Sequence, residues 1–213
     1  IFIGGPPMPN TVQQVQMLEA AIASGQYDAF IVASAVPAQF KDSINKAVAA
    51  GKKVVTITDD VPDSNRHAFI GTGDIQAGET AGKYMAEITG GKATINIQTI
   101  ITNATSLQRR AEGLENAIKA YPNMKVHSKD GASESSVKTQ TDQLTARMIA
   151  SPEIDALFNV GGDAGSVFAA VYNDFKARMD KMASIGFDDL GPTLAGIKAG
   201  WLDATIIQSQ YNW

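Results

Sequence analysis

Apolar residues along the chain follow two alternating patterns. Short runs such as Asp28-Ala-Phe-Ile-Val-Ala33 and Val54-Val-Thr-Ile-Thr58 are apolar almost throughout, the mark of strands buried on both faces. Between such runs, apolar residues recur at helical spacing. Val12, Val15, Leu18 and Ile22 form one stripe; Phe40, Ile44 and Val48 form the next. Leu107, Ala111, Leu114 and Ile118, then Val137, Thr141, Leu144 and Met148, form two more. Further strands are predicted at Phe2-Ile3, Ala68–Ile70, Ala93–Ile97, Met124–Val126, Ile154–Phe158, Met182–Ile185 and Ala204–Ile207. Further helices are predicted over about Ile75–Ile88, through Val167 and Val171, and from Pro192 to Gly200. In the first of these, Ala77, Gly78, Ala81 and Gly82 are spaced for close backbone packing.

Local chemistry punctuates these elements. Asn10 is an N-cap with Gln13 at the capping-box position, Thr105 and Asp163 are N-caps, Pro37 opens a helix and Gly51 stops it. Strands alternating with helices predict βα units and parallel sheets. The longest polar break runs from Asp59 to Arg66. A boundary between two rigid bodies is expected near Gly71-Thr72-Gly73, where glycine permits a bend.

Composition narrows the classes. The 213 residues are 44% hydrophobic and carry 18 basic against 22 acidic side chains, a net charge of −4. That balance excludes a strongly basic nucleic-acid platform in this segment. The chain has no cysteine, which excludes disulfide scaffolds and thiolate metal sites. No apolar run approaches the ~18 residues of a membrane span, and no signal-peptide pattern opens the chain. It begins as though inside a strand, and so reads as part of a larger product.

Open parallel sheets bind ligands outside the carboxyl ends of their strands. That rule selects Ser34, then Thr58-Asp59-Asp60, the stretch from Asn103 to Arg110, Gly161-Gly162-Asp163, Asp188-Asp189 and Gln208. Ser34, Asp59, Asp60, Asn103, Arg110, Asp163, Asp188 and Gln208 are the candidate ligand contacts. Carboxylates, amides and a guanidinium suit a neutral polyhydroxylated ligand, because each hydroxyl both donates and accepts. The same acidic and hydroxyl residues are also ordinary helix caps. Arg109 and Arg110 open a helix, where a cation is mildly unfavourable; a partner such as a ligand or Asp188 would offset this.

Other chemistry finds little support. Gly71-Thr-Gly73-Asp-Ile-Gln-Ala-Gly78 and the Gly161-Gly162-Asp163 turn are not spaced as nucleotide loops. His67 and His127 are far apart and are expected as surface or loop residues. Asp59, Asp60 and Asp63 beside Pro62 and Ser64 read as a polar turn, not a cation site. No nucleophile–base pair is evident, so no enzyme, cofactor or metal is expected.

The stretch from Val54 to Gly82 resembles the type I periplasmic sugar-binding proteins, the family of ribose-binding protein, whose fold the effector cores of LacI-type repressors share. Asp28–Ser34, Ala47–Gly51, Arg110-Ala-Glu-Gly-Leu114, Ile185-Gly-Phe-Asp188 and Ala204-Thr-Ile-Ile-Gln208 match in family order. The resemblance implies an α/β fold of two Rossmann-like lobes, each a parallel sheet flanked by helices, hinged about three crossings. The first lobe would cover residues 1–73, the second 74–208, and a return crossing 209–213, with the first lobe incomplete in this segment. It further implies ligand contacts at Arg110, Asp188 and Gln208, and at Asp59 or Asp60, with Thr58 occupying one aligned place. The family's Asn-Asp pair reads Gly162-Asp163 here, and Ser34 stands where ribose-type members carry Asn, so ribose itself is not implied. The implied function is capture of a sugar or similar ligand between the lobes by a monomeric, non-enzymatic receptor read by an ABC permease. Such a receptor would be periplasmic or extracellular, a lipoprotein being one form, without membrane insertion. The alternatives are a periplasmic sensor domain and the effector core of a LacI-type regulator.

Overall fold

The computed structural model describes residues 4–5, 10–33, 36–102, 104–132 and 136–209. The expected strand at Phe2-Ile3 lies outside these residues, as do Ser34 and Asn103. The chain divides into two compact units. The first comprises Ile1–Thr72, Ala104–Ser106 and Gln210–Trp213; the second comprises Gly73–Asn103 and Leu107–Ser209.

The first unit contains helix α1 (Thr11–Ala23), strand β1 (Ala29–Ala33), helix α2 (Lys41–Ala49) and strands β2 (Lys53–Ile57) and β3 (Ala68–Ile70). Asn10 caps α1 through its side chain, which accepts from the Gln13 N–H at 2.9 Å. Pro37 opens a short 3-10 turn before α2, because its ring fixes φ at a helical value. The strands form one parallel sheet in the order β1-β2-β3. Val32, Val54, Phe40, Ile44 and Ala47 are buried between this sheet and the helices, with Val15, Leu18 and Ile22 packed alongside.

The opposite face of that sheet is apolar too, and among the described residues it is uncovered. Ile31 pairs in register with Val55 and Val55 with Ala68, while Ala33, Ile57 and Ile70 form the next row. Ile31 is 74% exposed and Ile70 39%. Parallel sheets ordinarily bury both faces; among the described residues no second layer covers this one.

The second unit holds α3 (Asp74–Ile88), β4 (Lys92–Ile101), α4 (Thr105–Ile118, from Leu107 on), β5 (Asn123–Ala132) and α5 (Val137–Ala150). Strand β6 (Ala156–Asn159), α6 (Ala164–Met179), β7 (Ala183–Phe187), α7 (Gly191–Ala199) and β8 (Ala204–Ile206) complete it. Its parallel sheet has the order β5-β4-β6-β7-β8. Two buried clusters cover it: Met85, Ile95, Ile97, Leu114 and Phe187 in one, and Leu144, Met148, Leu157, Val167 and Phe168 in the other. The small-residue spacing of α3 serves the close packing expected of it. An added Cβ at Gly78 would collide with the Arg110 carbonyl, and one at Gly113 would collide with the Ile75 carbonyl and crowd the Gly78 Cα.

Four expectations need correction. The run 28–33, expected to be buried on both faces, buries only Val32 of its residues, because one face of the first sheet is uncovered among the described residues. Thr105, expected as an N-cap, is the first residue of α4. The strand predicted at Met124–Val126 runs on to Ala132. It is an edge strand with polar, half-exposed residues, so its sequence lacks the apolar run of its neighbours. Asp163 sits at the N-cap position of α6 but makes no capping bond with its side chain; that carboxylate is engaged elsewhere.

Candidate functional site

The second unit gathers polar groups at the carboxyl ends of β6, β7 and β8. Arg110, in the second turn of α4, is only 6% exposed. Its Nε donates to Asp74 Oδ1 at 2.9 Å, its Nη1 to the Val160 carbonyl at 2.9 Å and its Nη2 to Gln208 Oε1 at 3.0 Å. The guanidinium carbon lies 3.9 Å from the centre of the Phe187 ring, a cation–π geometry. Gln208 Nε2 in turn donates to Asp188 Oδ1 at 2.6 Å. Three of the sequence-selected residues, Arg110, Gln208 and Asp188, therefore form one hydrogen-bonded array. Arg109, beside Arg110 in sequence, is exposed, so the arginine pair divides into one buried member and one in solvent.

Asp188 is held in an unusual backbone state. Its φ is +63°, in the left-handed region that costs an L-residue roughly 1–2 kcal/mol. Strand β8 fixes it there: the Asp188 N–H donates to the Ile206 carbonyl at 2.8 Å, and Thr205 Oγ1 donates to the Asp188 carbonyl at 2.7 Å. The turn before Asp163 abuts this carboxylate, since a Cβ on Gly162 would stand 3.0 Å from Asp188 Oδ2. Asp163 is oriented by amides: its Oδ2 accepts from Gln140 Nε2 at 2.8 Å, and Gln140 Oε1 accepts from Asn159 Nδ2 at 3.2 Å. Gln140 and Asn159 are fully buried.

The first unit repeats one feature. Thr58 directly follows β2, has φ +62°, and donates its N–H to the carbonyl of Ile70 at the end of β3. It holds the place in its sheet that Asp188 holds after β7 beside β8. Strain of this kind in both units directs attention to these positions. The two selected carboxylates next to Thr58 are engaged locally. Asp59 Oδ1 accepts from the Ser106 N–H at 3.0 Å. Asp60 accepts from Arg66 Nη2 at 2.6 Å and from Thr56 Oγ1 at 3.1 Å. Left-handed backbone costs an L-residue roughly 1–2 kcal/mol, and the freedom glycine adds to the unfolded chain offsets about 0.4–1 kcal/mol of that. Replacing Thr58 by glycine is therefore expected to stabilise the first unit by about 0.5–1 kcal/mol. Urea unfolding checks this; a lower midpoint would contradict it.

Sequence reasoning passed over Asp74, Gln140, Asn159 and Thr205. The legible signal for Gln140 was a polar residue in the buried stripe that holds Leu144 and Met148. Asp74 gave a weaker one, an acidic residue between a glycine bend and a helix. The histidines are structural. His67 Nδ1 accepts from the Val54 N–H at 3.2 Å. His127 lies between Ser151 Oγ at 3.0 Å and Glu153 Oε1 at 3.3 Å, but Ser151 is buried as the C-cap of α5, so the trio fastens β5 to the end of that helix. Among the described residues no group of three His, Asp or Glu side chains could hold a metal ion.

The model of the periplasmic binding protein domain matches residues 1–213. The chain is similar to an ABC transporter solute binding protein from Burkholderia graminis C4D1M in complex with D-arabinose. That structure is 28% identical, with a TM-score of 0.88, over 93% of this chain and 69% of the other. GanP, a glucose-galactose binding protein from Geobacillus stearothermophilus, is 29% identical, with a TM-score of 0.90, over 98% of this chain and 73% of its own. A complex of XylFII with LytSN matches at 32% identity and a TM-score of 0.84, over 96% of this chain and 74% of the other. No curated protein sequence matches.

Proposed function

Because the chain belongs to the periplasmic binding protein domain family, we propose that it captures a sugar or similar small polyhydroxylated ligand and presents it to an ABC permease. The observation that carries this reading is the array Arg110–Gln208–Asp188, anchored at buried groups and ending in a carboxylate at the strand ends. A carboxylate accepts strongly from hydroxyls, and a neutral amide beside it leaves its charge in place. Asp188 and Asp163 would take ligand hydroxyls, while Arg110 and Gln208 would supply donors. In the first unit we place the contact at Thr58, with Asp59 and Asp60 framing it. Ser34 and Asn103 complete the proposed set.

The proposed lobes are residues 1–73 and 74–208, with the return crossing at 209–213. Ligand contacts made only when the lobes approach would shift the population toward a closed form. One neighbour is in complex with D-arabinose and another is named a glucose-galactose binding protein, which makes pentoses and hexoses the first candidates. No chemical step is part of this reading. The proposed location is periplasmic or extracellular; no helix among the described residues is long and apolar enough to cross a membrane. A second reading, a sensor whose ligand-bound form is read by another protein, draws on the XylFII–LytSN complex.

A thermal-shift panel tests the proposal with D-arabinose, D-glucose, D-galactose, D-tagatose, deoxysugars, polyols and furanone-type signals. A ligand at ~1,000 times its Kd adds about 4 kcal/mol, which at this size raises Tm by roughly 8–16 °C. A clear shift with one sugar is expected. No shift with any member would contradict the sugar reading.

A further inference from the structure

The chain passes between the two units at three places: after Thr72, around residues 103–107, and after Ser209. A polar residue of the second unit stands beside each passage. Asp74 follows the first, Arg110 follows the second and Gln208 precedes the third. These three side chains are bonded to one another through the single guanidinium of Arg110. The side chains of Arg110 and Asp74 are each only 7% exposed, so the ion pair sits where charge is poorly solvated.

We propose that Asp74 is a positioning residue for the strand-end site: by taking the charge of Arg110, it keeps Asp188 bonded only to a neutral amide and holds all three crossing segments to one anchor. The two carboxylates divide the labour. Asp74 and Asp188 connect to one guanidinium through hydrogen bonds. Asp74 receives it directly, whereas the Gln208 amide stands between Arg110 and Asp188. A direct ion pair would commit the Asp188 carboxylate to Arg110; the amide spacer orients it and leaves its charge for a ligand hydroxyl. Without the charge on Asp74, the buried guanidinium has Asp188 as the carboxylate next along the array. It would move toward Asp188 and displace Gln208. The end of β8, which fixes the left-handed backbone of Asp188 through Thr205 and Ile206, would loosen with it.

The inference bears on the sugar reading only in its consequence for Asp188; the contacts it uses lie inside the second unit. Its test is therefore hydrogen exchange of the protein without any sugar. In Asp74→Asn, the amides of Asp188 and of residues 205–208 are expected to exchange roughly ten-fold faster, with Asp74→Glu close to wild type. In a Gln208→Leu background, the change at Asp188 on adding Asp74→Asn should vanish, because the link is already cut. Faster exchange confined to the first turns of α3 would overturn the proposal, as would an effect at Asp188 that persists in the Gln208→Leu background. Should Asp74→Asn not fold, Gln208→Leu alone decides. Faster exchange at Asp188 with α3 unchanged supports the anchor, and wild-type exchange at Asp188 overturns it. Failure of every sugar to bind would leave this result standing.

Discussion

Replacing Arg110 with alanine is expected to destabilise the second unit by roughly 3–5 kcal/mol, the range found when one partner of a buried ion pair is removed. The loss has identifiable parts. Asp74 keeps a carboxylate in a site that is only 7% exposed, without its counter-charge. The Val160 carbonyl and Gln208 Oε1 each lose a donor. The face of Phe187 loses the guanidinium stacked on it. Arg110→Met should lose somewhat less, because its stem still packs on Phe187 while the charge is gone. Adding Asp74→Asn to Arg110→Met should recover part of the loss, since it removes the uncompensated carboxylate. Denaturant unfolding of the three variants measures this. A cost below about 1 kcal/mol for Arg110→Ala would mean that the pair is effectively solvated, contrary to the burial of both side chains.

Gly113→Ala separates local propensity from packing by sign. Gly113 lies in α4, where alanine is favoured over glycine by about 1 kcal/mol on propensity alone. The neighbouring helix forbids the methyl group. An added Cβ would collide with the Ile75 carbonyl and lie 2.9 Å from the Gly78 Cα. Both obstacles are backbone, so no side-chain rotation relieves them. Overpacking typically costs about 1–3 kcal/mol, sometimes more, and here α3 and α4 must separate as whole helices. The expected result is a net loss of about 2 kcal/mol or more. The displacement would also carry Arg110 away from Asp74, so sugar binding should fall with stability. Stabilisation by Gly113→Ala would contradict the close helix crossing.

The fold was largely legible because its elements obey simple periodicities. The stripe Leu107, Ala111, Leu114 and Ile118 needs only burial to explain it, and the structure packs it into the core. The apolar run 28–33 forms the expected strand but buries Val32 alone of its residues, leaving Ile31 74% exposed. Strand β5 was half legible: an edge strand with one wet side gives no apolar run. Of the candidate site, Arg110, Asp188 and Gln208 were selectable as strand-end polar groups, and the structure brings these three together; the pairings were not legible. That Arg110 would be buried with Asp74 depends on two glycines letting helices α3 and α4 touch. That Asp163 would point to Gln140 and not to its own helix depends on an amide on a different element. Thr58 was overshadowed by the two aspartates after it, because left-handed backbone at a β-branched residue leaves no mark in sequence.

We propose that the strand-end carboxylate of Asp188 takes a sugar hydroxyl. Isothermal titration on wild type and Asp188→Asn, with whichever sugar gives the largest thermal shift, tests it most directly. The substitution keeps the size of the side chain and removes its charge, and a hydrogen bond to a charged group contributes about 1.5–3 kcal/mol. Saturable binding is expected of wild type, with binding weakened roughly ten- to a hundred-fold by Asp188→Asn. Equal affinity in the two proteins would contradict it.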